Sequence, residues 1–352
     1  MNRAVLDKLL TYAVRRNASD IHLASGYAPI FRVHGKLRKV DAKTIHPDEL
    51  NKLIKEILTP EQLKVFFAEK ELDFAYAVKG VARFRTNIYQ QLNGPSIAFR
   101  VIPERIRTLV ELEVPKGVYK LARSREGLVL VTGPTGSGKS TTLAAMIDLI
   151  DTERHLHIIT IEDPIEYVYK GKNCLINQRE LGLHTKSFAN ALRAALREDP
   201  DVILIGEMRD LETISLALTA AETGHLVFAT LHTNSAAETI DRIVDVFPSG
   251  QQDQIRAQFS NSVLGIISQR LVLTKDGRGR VAAMEILIAT PAVRNLIREH
   301  KVHQIHSVLQ TGSKYGMQSM DQHLMLLLQQ GKISREEAAA YAHDENFFRK
   351  IA

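Results

Sequence analysis

Apolar positions follow two different rhythms along this chain. Over the first hundred residues, "SDIHLASG", "APIFRVHGKLRKV", "ARFRTNIYQQ" and "SIAFRVIP" are short runs of the kind that form strands. Between them, "PDELNKLIKEILTPEQLKVFF" places Leu50, Leu53, Ile54 and Ile57 at helical spacing and reads as one helix-like run. Short strands around a helix predict a small α+β domain over residues 1–100. Residues 101–117, "VIPERIRTLVELEVPKG", carry two prolines, a glycine and alternating charges, and read as a linker. From residue 118 to 352 a second domain is expected. Its strands "GLVLVTG", "HIITIED", "DVILIGE" and "LVFATLH" are apolar on both faces and alternate with helices, which predicts a parallel sheet covered on both sides. Phe188, Leu192, Ala195 and Leu196 mark one face of a helix that Pro200 ends, and Gly224 is placed to cap "LETISLALTAAETG". From about residue 250 the chain turns mostly helical. The class is α/β.

Composition narrows the partners. The 352 residues are 45% apolar and 24% charged, a globular balance. Lys plus Arg is 46 against 40 acidic residues, a net charge of +6. That mild excess permits contact with acidic surfaces but falls short of the basic stripe of a nucleic-acid binder, so no nucleic acid is expected. Cys174 is the single cysteine, which excludes an intramolecular disulfide framework and a four-cysteine zinc site and fits a reducing compartment. No apolar run approaches the length of a membrane span and "MNRAVLDKLL" is no signal peptide, so the expectation is a cytoplasmic protein that meets membranes only through partners.

The candidate chemistry lies in the second domain. "GPTGSGKS", comprising Gly133, Pro134, Thr135, Gly136, Ser137, Gly138, Lys139 and Ser140, matches the phosphate-loop pattern at every fixed position and sits between the strand "LVLVT" and the apolar helix opened by Thr141. Glycines let backbone N–H groups turn around phosphates, and the helix N-terminus adds positive potential. Lys139 is expected on the β- and γ-phosphates of ATP and the Ser140 hydroxyl on Mg²⁺. Strand "DVILIGE" ends in Glu207, where an acid helps hold Mg²⁺. "TIEDPIEY" puts Glu162, Asp163 and Glu166 at another strand tip, where acids polarise water, ligate Mg²⁺ or simply pair with nearby Arg or Lys. Spacing alone does not rank the three. His225 and His232 flank "LVFATL"; a strand-end histidine is more often a packing or capping residue, although beside a γ-phosphate it can sense the nucleotide state. The HExxH zinc pattern is absent.

In this order, "GPTGSGKST", "TIEDPIEY", "IGEMRD" and "TGHLVFATLHT" resemble the secretion ATPases, the family of type II secretion and type IV pilus motors. "ASDIHL" is similar to the start of that family's N-terminal PAS-like domain, so the resemblance spans nearly the whole chain. It implies a RecA-like P-loop ATPase domain, ATP with Mg²⁺, a hexameric ring and an inner-membrane pilus platform protein as partner. The absent four-cysteine motif, "PAVRNLIREHK" and "GMQSMDQHL" are most similar to the retraction branch, whose work is pilus disassembly and twitching motility. An auxiliary motor of the PilU type, as identity or as partner, and an assembly motor are the nearest alternatives. A RecA-like nucleic-acid motor and a metabolite kinase are the distant ones. The resemblance makes Glu166 the general base or water-orienting residue and Glu207 the Mg²⁺-side acid. It also implies that Arg83, Arg85 or Arg100 reaches the γ-phosphate, where positive charge stabilises phosphoryl transfer. In the helix from Pro291, Thr290 can cap, Val293, Leu296 and Ile297 share one face, and Arg294, Arg298 and Glu299 are expected toward solvent.

Overall fold

The computed structural model describes residues 2–33, 35–102 and 105–344. It divides into two compact units, Met1–Arg105 and Ile106–Ala352. In the first unit α1 (Arg3–Arg15) precedes strands β1 (Ala18–Ala24), β2 (Ile30–Val33) and β3 (Lys36–Lys39), then helices α2 (Pro47–Ile57) and α3 (Pro60–Glu69), then β4 (Glu71–Val78), β5 (Ala82–Gln91) and β6 (Gly94–Ile102). The strands form one sheet in the order β3-β2-β1-β6-β5-β4, and all its neighbours are antiparallel. Alternation along β5 buries Ala82, Phe84, Thr86 and Ile88 and turns Arg83 and Arg85 to the other face. Phe84 and Tyr76 meet Phe99 edge-on in this core.

The single helix expected over residues 47–67 is two. Pro60 disfavours a helical conformation at Thr59 and supplies no N–H to the preceding turn. Thr59 instead starts α3, with Gln62 closing a reciprocal capping box.

The second unit opens with α4 (Lys116–Ala122), β7 (Gly127–Thr132), α5 (Lys139–Glu153), β8 (His157–Glu162), β9 (Leu175–Glu180), α6 (Phe188–Ala195), β10 (Val202–Ile205), α7 (Leu211–Glu222) and β11 (Leu226–Leu231). It continues through α8 (Ala236–Asp245), α9 (Ser249–Ser262), β12 (Val263–Leu273), β13 (Arg280–Ile288), α10 (Pro291–Arg298), α11 (Ile305–Thr311), α12 (Met320–Gln329) and α13 (Arg335–Tyr341). The sheet order is β13-β12-β7-β11-β10-β8-β9, parallel everywhere except the β12–β13 hairpin. Every residue of β7, β10 and β11 is buried, which is why these strands read as unbroken apolar runs.

The region from about 250 is mainly helical, but it also contributes the hairpin. "VLGIISQRLVL" and "RVAAMEILI" join through the Asp276-Gly277 turn, and β12 extends the sheet by lying parallel to β7. The helix α10 also differs from expectation at Arg294. Arg294 is half-buried, its guanidinium donating to Ala289 O at 3.2 Å and to the carbonyls of Ser260 and Asn261. Arg298 and Glu299 are exposed, as expected; Arg298 donates to Asn261 Oδ1 at 3.2 Å and Glu299 pairs with Lys301. The end of α9 leaves carbonyls without intrahelical partners, and a neighbouring guanidinium is well suited to them. Among the described residues no helix is long and apolar enough to cross a membrane.

Candidate functional site

Four strand tips of the second unit converge at the carboxyl edge of its parallel sheet, where open α/β folds bind ligands. After β7 the chain passes through Gly133, Gly136 and Gly138 at φ 144°, 79° and 90°, conformations that favour glycine, before α5 begins at Lys139. Pro134, Thr135 and Gly136 are exposed at the loop tip, whereas Ser137 is buried. Lys139 Nζ donates to Gly133 O at 2.8 Å and Pro134 O at 3.2 Å. Burial pulls its pKa down, against the charges of Glu207 and Glu166, which favour the ammonium. Ser140 and Thr141 open α5, and the Thr141 hydroxyl lies 2.8 Å from the Tyr167 hydroxyl, tying the helix to the acidic segment.

The three acids that spacing left unranked occupy different environments. Glu162, the last residue of β8, is 9% exposed and accepts from Thr160 Oγ1 at 2.6 Å and from Gln178 Nε2 at 3.2 Å. Burial pushes its pKa up, while those two bonds oppose the rise. It pairs with a hydroxyl and an amide rather than with Arg or Lys. Asp163 and Glu166 are exposed, one on each side of a cis Asp163–Pro164 bond, and Asp163 acts electrostatically on Arg209. Gln178 also donates to Tyr167 O at 2.7 Å, so one β9 amide organises the whole turn.

Glu207 follows β10 by two residues. Arg209 Nη2 lies 2.7 Å from one of its oxygens and His232 Nε2 lies 3.2 Å from the other. Burial would raise its pKa, but the Arg209 hydrogen bond and the His232 charge bring it below the usual carboxylate range. The structure thus brings Lys139, Glu166, Glu207 and His232 into one electrostatic group. The two histidines part company: His225 Nδ1 sits 3.0 Å from Ala220 O and 3.2 Å from Thr223 Oγ1 at the end of α7, a capping position, while His232 touches the acid.

The arginines expected at a γ-phosphate belong to the first unit, where Arg100 Nε donates to Asp20 Oδ1 at 2.9 Å and Arg85 Nε stands 3.9 Å from Asp73. Arg83 lies on the same face of β5 as Arg85.

Motif reading missed the residues that brace the loop. Gln269 on β12 is 2% exposed and bonds both Ser137 O and the Thr142 hydroxyl. Its only trace in the sequence is a polar triplet, Ser268-Gln269-Arg270, interrupting an apolar run. Beside it a cavity of about 1140 Å³ is lined by Arg107, Thr141, Leu271, Arg278 and Arg280 among others.

A phosphate loop after a central parallel strand, with acids at neighbouring strand tips and a histidine on one of them, defines a P-loop ATPase. The family described as type II/IV secretion system protein matches residues 1–340. A twitching motility protein of Neisseria gonorrhoeae is 53% identical over 341 residues, covering 97% of this chain and 91% of that protein. The type IV pilus retraction ATPase PilT of Pseudomonas aeruginosa is 52% identical over 343 residues, covering 97% and 99%. A crystal structure of the pilus retraction motor PilT with bound ADP superposes with a TM-score of 0.91 at 48% identity, covering 98% of this chain and 99% of that one. The chain belongs to the type II/IV secretion system protein family.

Proposed function

We propose that this chain is an ATP-hydrolysing motor that retracts type IV pili and so drives twitching motility. What carries the reading is the phosphate loop with its facing acids on a chain more than half identical, over nearly its whole length, to proteins described in those terms. It acts as a hexameric ring in the cytoplasm, held to the inner membrane through a pilus platform protein and working with a PilU-type ATPase.

The phosphates of ATP lie along Gly133–Thr141, where loop amides and the start of α5 favour anions. Lys139 exchanges its two loop carbonyls for phosphate oxygens, a short swing because those carbonyls flank the loop. The Ser140 hydroxyl and the carboxylate of Glu207 are hard oxygen donors that suit Mg²⁺, and Arg209 and His232 keep Glu207 ionised for that role. When bound, Mg²⁺ neutralises charge that develops on the phosphates. Glu166, exposed and within electrostatic reach of Lys139, orients the attacking water. Glu162, turned inward on Thr160 and Gln178, holds the turn that presents it. His232 reports the state of Glu207 to the segment after β11. By the family resemblance, one of Arg83, Arg85 and Arg100 is the candidate source of positive charge during phosphoryl transfer.

A clean deletion in the host tests the reading, with pili counted by electron microscopy and twitching scored alongside. More surface pili with lost twitching is the expected result. Bald cells would mean an assembly motor, and unchanged pili with full motility would assign the ATPase to another machine.

A further inference from the structure

We propose that Gln269 is a positioning residue that fixes the orientation of the Ser137–Gly138 peptide and thereby sets the affinity of the phosphate loop for nucleoside di- and triphosphates. The inference rests on the reading of that loop as a nucleotide site.

Gln269 reaches the loop from a strand 132 positions further along the chain. Its Nε2 donates to Ser137 O at 2.7 Å and its Oε1 accepts from Thr142 Oγ1 at 2.8 Å. A trans peptide is planar, with its C=O and N–H pointing opposite ways. Holding the Ser137 carbonyl on β12 therefore turns the Gly138 N–H away from β12, toward the side on which a phosphate loop presents its amides. Freed from Gln269, that peptide can rotate and aim a carbonyl, an electron-rich group, at the phosphates.

Two of the loop glycines answer to the same residue. A Cβ on Gly133 would stand 2.2 Å from Gln269 O, and one on Gly138 would stand 2.7 Å from Gln269 Nε2. The loop is thus pressed against this one strand position from both ends. Only a side-chain amide or a protonated carboxyl offers a donor and an acceptor together in this shape. An ionised glutamate keeps the bond from Thr142 but has nothing to give Ser137 O, and methionine offers neither.

Full-length wild type, Gln269→Met and Gln269→Glu are compared by binding of fluorescent ADP and ATP analogues and by steady-state ATPase assay. Gln269→Met is expected to weaken both nucleotides roughly 10–100-fold, raising KM more than it lowers kcat, because a buried carbonyl loses its donor. Gln269→Glu is expected to bind weakly at about pH 8 and to approach wild type toward about pH 5.5, because burial at this position raises the carboxyl above its ordinary range and lets it regain a proton to donate. A purely structural role would lower thermal stability and kcat in both variants with no recovery in acid. Should Gln269→Met fail to fold, the pH trace of Gln269→Glu decides alone. A folded Gln269→Met that binds within about twofold of wild type, or a Gln269→Glu deficit that ignores pH, overturns the proposal. A wild type that binds no nucleotide would instead overturn the reading on which it rests.

Discussion

His323 on α12 lends itself to a quantitative test. The residue is 4% exposed, on a helix whose Met320, Leu324 and Leu327 are also buried. Its Nδ1 accepts from Met284 N at 2.9 Å, so the neutral ring carries its proton on Nε2. Burial, with a smaller push from the Lys332 charge, lowers its pKa from 6.5 to about 4. Protonation would also take away the lone pair that Met284 N uses. Above about pH 7.5 the ring is neutral whether the chain is folded or not, and it adds no pH dependence. As pH falls through 6.5 the unfolded chain takes up a proton that the folded chain refuses until about pH 4, so stability drops across that window. A shift from 6.5 to about 4 is worth about 3 kcal/mol in full at 1.36 kcal/mol per pH unit, and about 2 kcal/mol of it is gone by pH 5. The variant His323→Asn keeps an acceptor near the Nδ1 position and cannot titrate. Urea unfolding followed by circular dichroism at about pH 7.5 and about pH 5 should show wild type losing about 2 kcal/mol more than the variant. Equal losses in the two proteins would refute the assignment of a buried neutral imidazole.

Glu166→Gln should abolish ATP turnover while leaving nucleotide binding and thermal stability unchanged, since the side chain is exposed and its proposed role is confined to the attacking water. Undiminished hydrolysis would remove Glu166 from that role. Arg294→Ala should lower unfolding free energy by about 1–3 kcal/mol, because the carbonyls of Ala289, Ser260 and Asn261 lose a shared donor. Arg294→Lys should recover only part of this, a point charge replacing a planar fork, and full recovery in urea midpoints would show that charge alone suffices.

The nucleotide loop was legible because its information is local. Three positive-φ glycines, a lysine and a following helix are adjacent in the chain, and the backbone they need is dictated by the residues themselves. Strands buried on both faces were legible for a similar reason, since continuous apolar runs leave few other arrangements. The hairpin β12–β13 lay in a stretch where helical patterns dominate, although its β-branched residues and its Asp-Gly turn were strand signals.

Residue type and spacing by themselves determined the fold class, the phosphate loop and the set of acids and histidines that could meet it. Tertiary structure alone gave each its surroundings. Glu162 is buried because it ends a strand whose neighbour supplies Gln178, Glu207 is kept ionised by Arg209 and by His232 from the next strand, and the loop is braced by an amide on β12. Arg294 turned inward because the carbonyls it meets belong to another helix. Periodicity records that a position is buried; which group it is buried against depends on contacts between segments far apart in the chain, and those contacts decide hydrogen bonding, ionisation and chemistry.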